Sequence, residues 1–437
     1  MIKPKPITEQ ESLVLIPLKR LINYKHELCQ MTHQIPWEEF EGSLSKYYRQ
    51  DFGRPAKSIR LMVSLLILKQ LYNVSDEVVV ETWSENPYWQ YFSGEEYFQW
   101  HLPCDPTELT KFRRRIGTQG VEKIFEVSIK IHGKEAMERE VIADTTVQEK
   151  NITYPTDTKL HLKIIGKCLK MSQDNGINVR QSYRRTLKKL RWATRYLKNP
   201  RRAKEGYRAI RKIKTIAGRL LREVNRKLPE EIKQAHSEEL SIMEQILRQQ
   251  RDGKNKIYSV HEPQVSCIAK GKEHKKYEFG SKASVVITKT SGIIVGAMNF
   301  QGAPYDGHTL EPALEQVERL RGVKTEKALV DEGYRGKQMI GDTEVLRVHR
   351  PKKEKYSKYK WKQFFRRRAA VEATISHLKN NHRLDRNYLK GSVGDSINLM
   401  LSASAYNFRK FLRKLSYILR FLKYIYYDYI FRILQFK

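Results

Sequence analysis

Three acidic residues, far apart along the chain, have the types and settings to act together. Asp144 closes the apolar run "VIAD" and Asp331 closes "ALVD". Both runs are β-prone, so each carboxylate stands at the end of a candidate strand. If those strands lie side by side, the carboxylates emerge at one sheet edge, where two like charges raise each other's pKa unless a cation sits between them. Oxygen ligands at a partly open site suit Mg²⁺, which takes few protein carboxylates and keeps water and phosphate in its other positions. Asp331 and Glu332 would project to opposite sides of a strand, so only one of them can join Asp144. The candidate is Asp331, and Gly333 then permits a sharp exit. A third acid, Glu372, lies in "FRRRAAVEATISHLK". On a helix, Phe365, Arg368, Glu372 and Lys379 share one face. Singly, these acids read as a turn or capping Asp and an intrahelical ion pair. As a set they could hold divalent cations against a phosphodiester, with Arg368 and Lys379 gripping the adjoining phosphates.

The elements that must position them follow from patterning. "EVIADTTVQEKN" is a strand, and a long basic helical segment occupies about 159–255. "KASVVITKT" and "GIIVGAMNF" then form a hairpin around Thr290, Ser291 and Gly292. "HTLEPALEQVERLRG" is a helix, "EKALVDEG" and "EVLRVHRP" are strands, and "KQFFRRRAAVEATISHLKNNHR" is a helix. That order describes an α/β protein whose mixed sheet is interrupted by a helical insertion after its first strand. Residues 1–135 read as helical. "SIRLMVSLLILKQLYNVSDEVVVETW" has helical spacing, with Ser58 as N-cap and a break near Asn73. "CDPTELTKFRRRIG" is a capped helix closed by Gly117 that carries Arg113, Arg114 and Arg115, a basic face suited to duplex DNA or simply to solvent.

Composition narrows the partner. Lys plus Arg number 83 against 49 Asp plus Glu, a formal net charge of +34, which implies a polyanion and most simply nucleic acid. The segment 180–228 is dense in Lys and Arg and nearly free of acids, as a phosphate-contacting surface would be. Cys29, Cys104, Cys168 and Cys267 are scattered, which indicates neither a zinc knuckle nor a disulfide framework and fits a reducing cytosol. The apolar run "LVLIPL" is too short for a signal-peptide core. Arg420, Lys423, Asp428 and Arg432 interrupt the aromatic C-terminal segment, so it reads as a helix packed on the body or on a second copy rather than a membrane span.

Taken together, "VIADTTVQ", "YPTD", "HEPQ…KGKEHKKYEFGSKASVVI", "VDEGYRG" and the Arg-x3-Glu-x6-Lys helix resemble the DDE transposases of bacterial insertion sequences, in particular the insertion sequence five/four superfamily. "FGRPAKSIRLMVSLLILKQLYNVSDEVVVETWSENPYWQYF" resembles that group's N-terminal helical domain. The likeness spans roughly 35–410. It implies an RNase H-like catalytic domain over 136–410, an N-terminal DNA-binding domain over 1–135 and an aromatic tail over 411–437. Asp144, Asp331 and Glu372 would be the catalytic, metal-binding triad for two Mg²⁺ ions, with Mn²⁺ as a substitute. Arg368, Lys379, Arg113, Arg114, Arg115, Lys270 and Lys272 would meet DNA, and His261 matches the same pre-strand segment. The family helix has Tyr where this chain has Phe365, so one hydroxyl contact is missing. The implied activity is cleavage and joining of double-stranded DNA at transposon ends and target, by a homodimer on DNA, cytoplasmic and nucleoid-associated, with no membrane partner. Two alternatives remain: an RNase H-like nuclease that cuts without joining, and a non-catalytic basic DNA-binding protein. Asp157, Asp306 and His308 read as helix N-terminal signals, the latter two being the main rivals for site membership.

Overall fold

The computed structural model describes residues 15–49, 55–250, 252–269, 275–336, 338–347 and 357–435, with the side chains of the last helix described as far as Tyr417. Seven helices come first: α1 (Leu18–Leu21), α2 (Glu27–Gln34), α3 (Trp37–Leu44), α4 (Ile59–Leu71), α5 (Asp76–Glu85), α6 (Pro87–Phe92) and α7 (Pro106–Lys130). Strand β1 (Glu140–Lys150) follows. Helices α8 (Asp157–Asp174), α9 (Arg184–Ala193), α10 (Ala203–Lys227), α11 (Glu230–Ala235) and α12 (Ser237–Arg248) separate it from β2 (Ser266–Ala269), β3 (Tyr277–Thr288) and β4 (Ile294–Phe300). The chain continues through α13 (Asp306–Arg321), β5 (Lys327–Val330), β6 (Met339–Ile340), β7 (Thr343–Arg347), α14 (Lys358–Asn381), β8 (Arg386–Asn387) and α15 (Gly391–Gln435).

The sheet is mixed, in the order β2-β3-β1-β5-β7-β6, with β4 on β3 and β8 on β1. β1, β5 and β7 run parallel, whereas β2 and β4 pair antiparallel with β3, and β6 with β7. The parallel centre reads as continuous apolar runs because both its faces are covered: Val141, Ile142, Ala143, Ala328, Leu329 and Val330 are all fully buried.

Local chemistry accounts for the helix boundaries. The Ser58 hydroxyl accepts from Leu61 N at the start of α4, and the chain turns at Asn73, whose φ is +58°. α4 is apolar on every side, as a helix at the centre of a core must be, and twelve of its thirteen residues are buried. Asp105 caps α7 and Pro106 occupies its first turn, where the missing N–H costs nothing. Gly117 ends the first helical stretch of α7, as its place in the sequence predicts. Its backbone is non-helical, at φ +58°, ψ −160°, and a second helical stretch follows across a kink.

The chain divides into two compact units: Met1–Glu149 with Lys282–Phe300 and Pro304–Lys437, and Lys150–Ser281 with Gln301–Ala303. In the first, one hydrophobic core runs from Leu28 and Phe40 through Val141 and Leu329 to Phe408. The helices before β1 therefore share a core with the sheet, and no boundary near residue 135 separates them. Buried polar groups join the same elements. Gln70 Nε2 donates to Asn398 Oδ1 (3.2 Å), Asn398 Nδ2 to Gln148 Oε1 (2.9 Å) and Gln148 Nε2 to Asp395 O (3.0 Å). The fully buried Asn407 amide accepts from Ile294 N and donates to Ile294 O, serving β4 as a strand partner would. The second unit has its own core: Leu160, Ile164 and Cys168 of α8 meet Ile213, Leu220 and Val224 of α10 and Met243 of α12.

Two buried imidazoles of the first unit make its stability depend on pH. His132 Nε2 pairs with Asn407 O and His382 Nδ1 with Gln70 O, both at 3.1 Å. Burial lowers both from 6.5 to about 4. Between these values the unfolded chain binds protons that the folded chain refuses, so stability present above pH 6.5 is lost as pH falls through 4. Thermal midpoints should therefore drop across that window, and His382→Asn should flatten the fall. An unflattened curve would assign the acid loss to other groups.

Candidate active site

β1 and β5 set the first two acids side by side. Their parallel register pairs Glu140 with Lys327, Val141 with Ala328 and Ile142 with Leu329. Carried two residues further, it brings Asp144 beside Asp331, and paired residues of neighbouring strands face the same side of a sheet. Asp144 Oδ1 accepts from Thr145 N (2.7 Å) and Asp331 Oδ1 from Gly333 N (2.8 Å), which fixes both carboxylates. Gly333 is needed there: a Cβ would lie 2.9 Å from Asp331 Oδ1 and 3.2 Å from Asp306 Oδ2. Glu332 faces solvent.

Helix α14 supplies the cation and the third acid. Arg368 Nη2 lies 3.8 Å from Asp144 Oδ2, 3.9 Å from Asp331 Oδ2 and 3.2 Å from Glu372 Oε1. Only the last is a hydrogen-bonding distance, so one guanidinium is shared loosely among three carboxylates. Exposure of the acid side chains rises from 14% at Asp144 through 35% at Asp331 to 60% at Glu372, leading from the sheet out to solvent. Arg368 Nε is buried without a hydrogen-bond partner among the described residues.

Two further residues stand at this place that patterning did not assign to it. Asp306 is in the first turn of α13 but caps nothing with its side chain. Its Oδ1 accepts from Thr145 Oγ1 (2.6 Å) and from Lys282 Nζ (2.9 Å). Tyr334 is 2% exposed, with its hydroxyl beside the Thr309 side chain. Burial, followed by the charges of Asp144, Asp306 and Asp331, pushes that phenol well above its ordinary value, so it is a donor at any working pH. The sequence held one signal of this: Lys282 is a lone cation at the start of the apolar "KASVVI". His308 is exposed, with its ring edge-on to Tyr305 at 5.7 Å.

The remaining candidates divide. Arg113, expected on DNA, is 4% exposed and makes a bidentate pair with Asp76 (2.9 and 2.6 Å). It is a core ion pair and cannot reach a phosphate. Arg114 is exposed, as is Arg115, whose guanidinium lies 4.6 Å above the Tyr48 ring. Lys379 is half-buried on α14 and Phe365 is 53% exposed. His261 is exposed, while Lys270 and Lys272 lie outside the described residues.

The donor set fits a hard divalent cation in kind, being carboxylate oxygen only. In spacing it is arranged around Arg368: among the described residues no three His, Cys, Asp or Glu side chains stand close enough together to hold a metal ion. No described helix is long and apolar enough to cross a membrane.

Comparison with known proteins matches two families. "Transposase domain (DUF772)" matches residues 16–115, and "Transposase DDE domain" matches residues 245–408. The second range holds Asp331 and Glu372, whereas Asp144 lies outside both. A protein of Rhizobium meliloti described as "Uncharacterized protein ORF8 in nfe locus" is 40% identical over 191 residues, which cover 42% of this chain and 91% of that protein. No solved structure matches the chain.

Proposed function

This chain belongs to the DDE transposases of bacterial insertion sequences, enzymes of phosphoryl transfer on DNA, and from that premise we propose that Asp144, Asp331 and Glu372 are its catalytic carboxylates and that it cuts and rejoins transposon ends. The observation that carries this is the meeting of three sequence-distant acids around Arg368. Those acids would hold two Mg²⁺ ions, or Mn²⁺. When bound, such ions supply Lewis-acid stabilisation of a phosphoryl transition state and lower the pKa of water. Arg368 then turns its fork to phosphate oxygens, which bidentate guanidinium geometry suits. Lys379, on the same helix, adds a point charge to the neighbouring phosphate. Phe365 offers a ring face for stacking without the family's hydroxyl. No covalent enzyme–DNA intermediate is required, because a water and later a 3′-hydroxyl can each attack in line. Arg114, Arg115 and the other N-terminal helices would read the terminal inverted repeats, and a homodimer would pair two ends.

The joining step is tested with a DNA end already cut to a free 3′-hydroxyl. Strand-transfer products with Mg²⁺ support the transposase reading; cleavage of intact ends without any joined product would assign the site to a nuclease.

The second unit would grip flanking DNA through its basic outer face. Arg184, Arg185, Lys188, Lys189 and Arg191 of α9 are all exposed, and Arg195 lies over the exposed Trp192 ring at 5.0 Å. Each duplex phosphate that a cation neutralises adds about 0.9 to the steepness with which log affinity falls against log salt. Lys188→Gln with Lys189→Gln should therefore weaken duplex binding at low salt and flatten that slope by one to two such steps. An unchanged slope would remove this face from the DNA.

A further inference from the structure

We propose that Arg335 binds a DNA phosphate beside the one that is cut, and that the loop after β5 is clamped to α13 so as to present it. This rests on the reading of Asp331 as catalytic and adds a contact that neither the three acids nor α14 supplies. Three successive residues of this loop are anchored, each by different means. Gly333 N donates to Asp331 Oδ1 (2.8 Å). Tyr334 is buried, with its hydroxyl beside the Thr309 side chain of α13. Arg335 N donates to Tyr305 Oη (2.6 Å), and the Tyr305 ring in turn stands edge-on to His308 at 5.7 Å. The carbonyl of Arg335 is fixed too. It lies against Gly307, where a Cβ would come within 2.8 Å of Arg335 O and 2.9 Å of Tyr305 Cε1. Loops usually move more than the elements they join, whereas this one is pinned to the first turn of α13.

The side chain so presented is exposed. Asp331 and Glu332 precede it closely in the chain, yet Arg335 forms no ion pair with any described residue. Lys282 takes Asp306 instead, and Arg368 approaches Asp331 Oδ2 to 3.9 Å. In a chain of net charge +34 an exposed arginine can simply be solvated. Solvation explains the charge but not the clamp. Nothing about a solvated side chain calls for both the N–H and the carbonyl at its root to be held, or for a glycine at 307. A fixed root reduces the ordering that binding costs, and a planar fork grips phosphate oxygens in a defined direction. Arg335 is four residues beyond Asp331, within about 14 Å of extended chain. At roughly 3.4 Å of helix axis per nucleotide, the phosphate it meets lies within about four nucleotides of the cut.

The test is ethylation interference with the full chain on a transposon-end duplex, bound without divalent ion and read by gel shift. Ethylating one phosphate within about four nucleotides of the cut should block wild-type binding. Arg335→Gln should lose that position from its interference pattern while keeping the others. Its affinity for unmodified DNA should fall on the order of tenfold, as loss of one charge-assisted contact does. The slope of log affinity against log salt should flatten by about 0.9. Arg335→Lys should restore the slope but not the full affinity, because an ammonium keeps the charge without the fork. Tyr305→Phe keeps the ring but removes the acceptor of Arg335 N, and should cost part of the same affinity. Thermal melting establishes that each variant is folded. A wild-type interference pattern and slope in Arg335→Gln would overturn the proposal, as would a lost position farther from the cut. No cleavage enters this measurement, so the two levels separate. An unchanged pattern in Arg335→Gln beside an inactive Asp331→Asn removes Arg335 alone, whereas wild-type cleavage by Asp331→Asn removes the catalytic reading itself.

Discussion

Asp331→Asn should reduce Mg²⁺-dependent DNA cleavage by on the order of 10³-fold, with duplex binding unchanged or slightly tighter. A bound ion contributes several kcal/mol of transition-state charge stabilisation, and each 1.36 kcal/mol is tenfold in rate. Asparagine keeps the shape of Asp331 and its acceptor for Gly333 N, but brings no negative charge to an ion. Binding is spared because Arg368 and the other phosphate-facing cations all keep their charge, and loss of an acid near DNA removes a repulsion. The side chain is one-third exposed, so folding should tolerate the change. Gel-shift and cleavage assays on one preparation check both halves. Wild-type cleavage by the variant would remove Asp331 from the site.

The largest expected effect on stability lies well away from that chemistry. Asp76 holds two buried cations, Lys69 Nζ at 2.8 Å and Arg113 through both guanidinium nitrogens. Burial and then the Arg113 charge bring Lys69 down to about 8. Burial alone would raise Asp76, but its hydrogen bonds from Arg113 and the Lys69 charge leave it below its ordinary value. Asp76→Ala strands both cations, and breaking a buried pair in this way costs roughly 3–5 kcal/mol. Urea midpoints should read the loss directly. The sign of its pH dependence is fixed as well. Without Asp76 the folded Lys69 pKa falls further while the unfolded value stays near 10.4. The folded variant then sheds a proton that the unfolded chain keeps, and the variant regains part of its stability as pH rises through that interval. A loss under about 1 kcal/mol, typical of surface pairs, would contradict this account of Arg113.

That arginine shows where reading along a line fails. Arg113, Arg114 and Arg115 look alike in "FRRRIG", and only the third dimension distinguishes the one that meets Asp76 from those that meet solvent. Asp306 failed for the same reason. An acid just before a helix reads as a capping residue, while its real partners, Thr145 and Lys282, are brought by other strands. What could be read was local or periodic. Ser58 and Asn73 mark the ends of α4 by side-chain chemistry and backbone preference. The apolar runs before Asp144 and Asp331 specify strands, and Arg368 and Glu372 are one helical turn apart. Gly117 was legible as the break in α7, whereas the second helical stretch that follows it across a kink was not.

The central claim is that residues near 144, 331 and 372 surround one cation site, and iron-directed cleavage measures this most directly. Fe²⁺ occupies oxygen-rich sites of the Mg²⁺ and Mn²⁺ kind, and with peroxide and ascorbate it generates radicals that cut the backbone only near the bound ion. Fragments ending near all three residues, suppressed together by excess Mg²⁺ and by Asp144→Asn, are the predicted result. Cuts at one or two of these places, or cuts that Mg²⁺ does not suppress, would contradict a shared site.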